Sequence, residues 1–382
     1  MPNFSGVWTL QSQMQAIAAG TWTGISSPLL FSWGYNTSGQ LGLNDTINKS
    51  SPIQVGALTD WSQVSAGLSL ASICAAIKTD GTVWAWGLNS SGQLGQNNTI
   101  NKSSPVQVGA LTSWSQVSTG SAFCSAIKTD GTLWTWGNNG AGQLGQNNTI
   151  NSSSPVQVGA LTTWSKVSAG NTFCAAITTS GTLFTWGRNY YGELGQNNTT
   201  YQSSPIQVGA LTNWSQVSSG GAFCTAIKTD GTLWTWGGGD FGKLGQNNIT
   251  RRSSPVQVGA LTDWSQVSAG SQHCAAITTS GTLFTWGNNN YGQLGHNDTV
   301  KRSSPVQVGA LTTWSKISAG GRHSAAITTS KTLFTWGSNS VGQLGQNNTT
   351  YISSPVQVGA LTTWSQVDAG GYNCAAILTS TT

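Results

Sequence analysis

The chain has 382 residues, with 15 Lys or Arg against 10 Asp or Glu, a formal net charge of +5. Charged residues are 7% of it, against about 25% in an ordinary soluble domain, which excludes long helical bundles and coiled coils. With 49 Gly and 19 Trp, and no apolar run near the ~18 residues of a membrane-spanning helix, the composition is that of a turn-rich all-β chain with a polar surface; the mild charge argues against a nucleic-acid partner.

In chain order, residues 1–28 read as an N-terminal arm. It has no basic region followed by a long apolar run, so it is not a secretory signal. Leu10, Met14, Ile17 and Ala18 stand at helical spacing and predict a short helix over 10–19. N-x-S/T triplets at Asn97, Asn147, Asn197, Asn297 and Asn347 imply synthesis in a cytoplasm without glycosylation.

From residue 29 the chain repeats itself. Trp-Gly recurs at 33, 86, 136, 186, 236, 286 and 336, and a second Trp at 61, 114, 164, 214, 264, 314 and 364. The period is 50 except for one three-residue insertion between Gly67 and Cys74. The unit from Trp164 to Val208 divides into four short strands: WSKVSAG, CAAITT, TLFTWG and PIQV, with Pro205 opening a fourth strand at a sheet edge. A tight TSGT turn joins the second and third strands, and a long Gly/Asn/Gln loop joins the third and fourth. Four-stranded repeats of this length are propeller blades. Residues 29–382 are therefore expected to form an all-β, seven-bladed propeller of antiparallel blades. The chain starts its first unit at the third strand and ends after the second strand of its last, so the two ends should complete one blade and close the ring. Lys331 replaces the turn glycine found at Gly281, which predicts a strained turn or one of another type.

The string from Trp186 to Gly195, WGRNYYGELG, resembles the signature of the regulator of chromosome condensation repeat family. So do AGGRHSAAI at 319–327 and the Ser-Pro-x-x-Val segments. The resemblance covers about 350 residues in seven registered copies and implies the seven-bladed fold, not one activity. The founding member of the family exchanges nucleotide on a nuclear GTPase and binds chromatin; here there is no basic tail and no acidic residue to match a catalytic position. A plant UV-B photoreceptor of the family absorbs through Trp in G-W-R-H-T, but the corresponding residues here are Gly320, Gly321, Arg322, His323 and Ser324. Trp in this chain is expected to pack the core. The arm from Phe4 to Trp22 resembles the leader of structural proteins of marine bacteriophages, which implies attachment to a particle through Phe4, Trp8, Leu10, Met14, Ile17 and Trp22.

Antiparallel strands place the turns between strands one and two, and the loops between three and four, on one face of the disc. The remaining turns lie on the other. On that second face the copies barely differ: TDGT or TSGT, and GALT-x-W. On the first they diverge, and there they carry Tyr190, Tyr191, Tyr201, Phe241, Arg251, Arg252, Tyr291, Lys301, Arg302, Arg322, Tyr351 and Tyr372. Tyr and Arg supply contact area and planar hydrogen bonding, so these residues are a candidate binding face.

Other chemistry is weak. Cys74, Cys124, Cys174, Cys224, Cys274 and Cys374 recur once per unit beside Ala, as small buried hydrophobes, without zinc-ligand spacing. His273 and His323 take a slot held by Phe in three copies, which points to packing. Gly140, Gly142 and Gly145 spell G-x-G-x-x-G, but no helix or downstream acid completes a dinucleotide site. Asp45 and Asp298, in the NDT loop segments, are at most weak Ca²⁺ ligands. No catalytic residue, metal site or cofactor is expected. The leading expectation is a non-enzymatic virion component whose variable face contacts another virion protein or a host surface receptor, without nucleic acid or a membrane span, and with oligomers possible through the arm. The alternatives are a cytoplasmic interaction module, with a partner such as a GTPase, and a lyase or glycosidase on a propeller scaffold.

Overall fold

The inner strand of every blade starts at the repeat's second Trp, because that position buries an indole between neighbouring sheets. The computed structural model describes residues 28–69 and 73–379, so the arm and its expected helix and attachment residues lie outside the described residues. Seven four-stranded antiparallel sheets are formed. Blade 1 comprises Trp61–Ala66, Ile73–Lys78, Val83–Gly87 and Lys102–Gln107, in that order from the axis outward. Blades 2 to 6 repeat this from Trp114, Trp164, Trp214, Trp264 and Trp314. Blade 7 is composite: Trp364–Ala369 and Asn373–Leu378 are completed by Leu29–Gly34 and Lys49–Thr59. Leu29 pairs with Leu378 and Trp33 with Cys374, and the inner strand of blade 7 packs on that of blade 1, so the ring closes as expected.

The outer strand corrects one boundary. In blade 3 it runs from Gln202 to Gln207, so Pro205 is in its middle. Gly187 pairs with Gln202, then the register shifts before Thr185 pairs with Ile206. This irregularity accommodates the proline, which has no N–H for the ladder, on a strand with only one neighbour.

The repeated motif is a set of inter-blade contacts. Trp186 is fully buried and its Nε1–H donates to the Gln143 carbonyl of the preceding blade at 2.9 Å. The same bond recurs from Trp236 to Glu193 and from Trp286 to Lys243. Asn189 folds the loop: its Oδ1 accepts from the Leu194 N–H at 2.9 Å and its Nδ2 donates to the Asn198 and Thr200 carbonyls. Gly192 lets the loop touch the next blade, since a Cβ there would lie 2.6 Å from the Ser253 Cα. Each inner-strand Trp packs edge-on against third-strand aromatics, as Trp164 does on Phe184 with centroids 5.3 Å apart. Such pairs add about 0.5–1.5 kcal/mol beyond the area they bury.

A second ring lies at the axis. In each blade an inner-strand Ser accepts a backbone N–H from the next blade: Ala169 N to Ser118 Oγ at 2.9 Å, Ser219 N to Ser168 Oγ at 2.8 Å, and so around. At the junction from blade 7 to blade 1, Asp368 takes the Ser role, accepting from Ala66 N at 2.8 Å and from Ser318 Oγ at 2.8 Å.

Lys331 occupies the same turn as its glycine counterparts rather than another type. Its N–H donates to the Thr328 carbonyl at 2.9 Å, as Gly281 does to Thr278 at 3.0 Å, and its φ is 59°. The strain expected from the sequence is therefore present, as a side chain in the left-handed region.

Candidate interaction face

Backbone hydrogen bonds sort the turns onto two faces. Trp114 N donates to the Gly81 carbonyl at 3.0 Å, joining the constant turns. Arg188 N donates to the Thr172 carbonyl at 3.0 Å and Tyr35 N to the Tyr372 carbonyl at 2.9 Å, joining the variable ones. All seven tyrosines and all five arginines of the chain lie on the variable face. That face carries nine Lys and Arg against four Asp and Glu, while the opposite face and the inner strands carry six of each sign. The net charge of +5 therefore belongs to one face.

The four acids of that face are all paired: Asp45 with Lys49 at 2.7 Å, Glu193 with Arg188 at 3.2 Å, Asp240 with Lys243 at 3.6 Å and Asp298 with Arg302 at 2.7 Å. Asp45 and Asp298, weighed above as cation ligands, thus hold side-chain cations in Asx turns, and their pKa values are held down by those partners and by backbone N–H groups, against their partial burial. Among the described residues no group of three His, Cys, Asp or Glu is placed to hold a metal ion.

The candidate residues reach across blade boundaries. The Arg251 guanidinium of blade 4 lies 5.1 Å from the Tyr191 ring of blade 3, with Arg188 at 5.2 Å from the same ring. Lys301 of blade 5 lies 4.9 Å from the Phe241 ring of blade 4. Arg322 of blade 6 lies 4.9 Å from Tyr291 of blade 5 and 5.4 Å from Tyr372 of blade 7. Tyr291 and Tyr351 meet edge-on at 5.7 Å, and Tyr190 and Tyr191 at 4.8 Å. Tyr190, Tyr201 and Tyr351 are 48–58% exposed. Arg252 and Arg302 open outer strands and are half-buried. Blades 1 and 2 have the same loop between their third and fourth strands without any aromatic in it.

Two residues were missed by the sequence reading. A loop Gln buried at five positions, as at Gln93 and Gln143, becomes Glu193 in blade 3 and Lys243 in blade 4. Both side chains are buried. Burial raises the Glu193 pKa against the pull of Arg188 and Lys243, and burial lowers that of Lys243 against Asp240 and Glu193. Copy-by-copy comparison at that one position was the available signal. Beside them is a pocket of about 370 Å³ lined by Arg188, Tyr191, Asp240, Phe241, Lys243 and Gln272. The insertion of blade 1 borders it: the Leu68 carbonyl accepts from Ser271 Oγ of blade 5 at 3.4 Å.

The cysteines are free and buried, and burial pushes the Cys74 thiol up to about 12, which keeps it an unreactive thiol. His273 and His323 are fully buried, and burial lowers them to about 3 and about 4. Ser324 Oγ donates to the Gln293 carbonyl at 2.9 Å, so the His273 Nε2–H, 2.9 Å away, donates to that Oγ. The His273 imidazole is thus tied to blade 6. At Gly321, where the photoreceptor motif has Trp, a Cβ would lie 2.4 Å from the Gly371 carbonyl.

These features define a closed seven-bladed propeller with one chemically distinct loop face. The RCC1-like domain profile matches residues 149–382, and the regulator of chromosome condensation (RCC1) repeat matches 29–72 and 80–127. The chain belongs to this family. Among curated proteins, the human probable E3 ubiquitin-protein ligase HERC6 is 38% identical over 92 residues, 22% of this chain and 8% of that one. The ultraviolet-B receptor UVR8 of Arabidopsis thaliana is 36% identical over 84 residues, 22% of this chain and 18% of the receptor. The matches thus span less than a fifth of those relatives. Among solved structures, human WBSCR16 superposes with a TM-score of 0.83 at 24% identity, over 92% of this chain and 99% of that one. Yeast RCC1 (Prp20), solved with Kap60, gives 0.82 at 19%, over 94% and 90%. These likenesses show the fold.

Proposed function

We propose that this propeller is a non-enzymatic interaction module that holds a protein partner on its variable face. One observation carries the reading: every Tyr and every Arg of the chain lies there, on blades 3 to 7, although blades 1 and 2 have a loop of the same length between their third and fourth strands. Tyr and Arg are the residues that dominate protein–protein contact energies. Twelve residues of that face are the proposed contacts: Tyr190, Tyr191, Tyr201, Phe241, Arg251, Arg252, Tyr291, Lys301, Arg302, Arg322, Tyr351 and Tyr372. The comparisons support a cellular partner better than a virion role. Yeast Prp20p was crystallised in work on its binding to Gsp1p and histones, and a canine relative is a GTPase regulator. A virion attachment through Phe4 to Trp22 rests on the arm alone, and none of the relatives named above supports it.

A photo-crosslinking residue placed at Tyr190 or Tyr351 should capture a discrete protein in the producing cell, while one at Leu111 on the opposite face should not. Equal capture from both faces would refute the reading. Detection of the chain in purified particles, with the captured protein a virion component, would favour the virion alternative.

A further inference from the structure

Once the four acids of the variable face are matched to their cations, five cations are left without an acidic partner among the described residues: Lys102, Arg251, Arg252, Lys301 and Arg322. Lys102 sits alone on blade 1. The other four fall on three consecutive blades, 4 to 6. Three of these four lie over an aromatic ring of an adjacent blade, at 4.9–5.1 Å. A guanidinium stacked on a ring keeps its N–H edges outward and free for a planar carboxylate. Stacking also restricts the rotamers of a long side chain, so less order is lost when a ligand arrives. The arc is thus a row of pre-ordered donors without countercharge, bordered by exposed Tyr190, Tyr201 and Tyr351.

We propose that the arc from Arg251 through Lys301 to Arg322 docks an acidic segment of a protein partner, its carboxylates taking the outward edges of the stacked cations. The proposal rests on the face reading above and adds the charge of the partner. An acidic peptide fits better than a nucleic acid. Four uncompensated cations spread over three blades match spaced carboxylates, whereas a phosphate backbone draws on many clustered cations. The rings under the cations are also covered by them, which removes those faces from base stacking.

The test uses the full chain and a fluorescein-labelled peptide of about 12 residues alternating Asp or Glu with Ser, read by fluorescence anisotropy at about 50 mM and about 500 mM NaCl. The peptide should bind at low salt, weaken at high salt, and bind roughly tenfold more weakly to the Arg251→Gln/Arg322→Gln double variant, the product of two partly exposed charge pairs. Lys102→Gln, off the arc, should bind as wild type does. A Lys-Ser peptide of equal length should not bind. Absence of salt-sensitive binding, equal binding by the double variant, or tighter binding of a labelled oligothymidylate to the same arc would overturn the proposal. If the acidic peptide fails while the Tyr190 crosslink still captures a partner, the charge inference falls and the face reading stands.

Discussion

His273 and His323 make acid stability a direct test of the packing. Both replace Phe, as found at Phe123, Phe173 and Phe223, and both are buried without a carboxylate partner. Burial lowers their pKa values to about 3 and about 4 from an ordinary 6.5. A base depressed in the folded state leaves stability intact above its unfolded pKa and removes it as the pH falls below that value. The window therefore runs from about pH 6.5 down to about pH 4 for His323 and about pH 3 for His273. At about pH 5 each unfolded imidazole binds a proton that its folded form refuses, which costs about 2 kcal/mol per histidine. Wild type should lose about 4 kcal/mol more between about pH 8 and about pH 5 than His273→Phe/His323→Phe does. Urea unfolding followed by Trp fluorescence at both pH values measures the difference, and the single variants should each recover about half. Loss of the Ser324 bond in His273→Phe shifts stability equally at both pH values, so it cancels in the comparison. Parallel pH profiles for wild type and the double variant would show that the imidazoles are reached by water or protonated in the native state, and the buried assignment would fail.

Lys331→Gly should stabilise by about 0.5–1 kcal/mol, because relief of a left-handed side chain, worth about 1–2 kcal/mol, exceeds the added freedom of glycine in the unfolded chain; Lys331→Ala keeps the Cβ and should gain nothing in the same urea titration. Asp368→Ser would restore the residue of the other six blades. Burial raises the Asp368 pKa, so its ionisation costs stability as the pH climbs above 3.8, and the variant should gain at neutral pH but not at about pH 3. Blades 1, 2 and 4 share Lys, Asp and Trp where blades 3, 5 and 6 have Thr, Ser and Phe. In blade 2 Asp130 accepts from Thr132 Oγ1, which accepts from Trp134 Nε1, and Lys128 lies 4.5 Å from that ring. Trp134→Phe should therefore lower the thermal midpoint, and adding Lys128→Thr and Asp130→Ser should restore most of it; equal midpoints for the single and triple variants would show that the three positions are independent.

The repeat phase, the strand order, the composite blade and the assignment of turns to faces were all readable from the sequence, since each follows from a 50-residue period and antiparallel alternation. What was not readable depends on distances between blades. Glu193 and Lys243 look like routine loop variation until the fold puts them beside Arg188 and Asp240. Arg251 and Tyr191 are 60 positions apart in the chain, and no local pattern announces that one covers the other. The outer strand starts three residues before Pro205 because its pairing with Gly187 crosses a register shift that a proline-based boundary does not foresee.

The unequal divergence of the two faces has a physical origin that sharpens the functional argument. On the constant face a Cβ at Gly81, Gly131 or Gly231 would come within 2.1–2.2 Å of the Thr112, Thr162 or Thr262 carbonyl, so those turns pack closely, and the one copy with a side chain there, Lys331, holds it at a left-handed φ of 59°. On the variable face one shared contact between blades is made to backbone: the third-strand Trp bonds the carbonyl of the loop residue, whether that residue is Gln143, Glu193 or Lys243. That bond does not depend on which side chain the loop residue carries, so the position accepts Gln, Glu or Lys. Freedom alone would spread substitutions around the ring, and it would not select Tyr and Arg. Their confinement to blades 3 to 7, with cations lying over rings across successive blade boundaries, does not follow from the scaffold and is what the proposed partner would account for. Moving Arg251 and Tyr191 to the matching loop positions of blades 2 and 1 should therefore leave the fold intact and abolish capture of the partner; retained capture would mean that the arc is incidental.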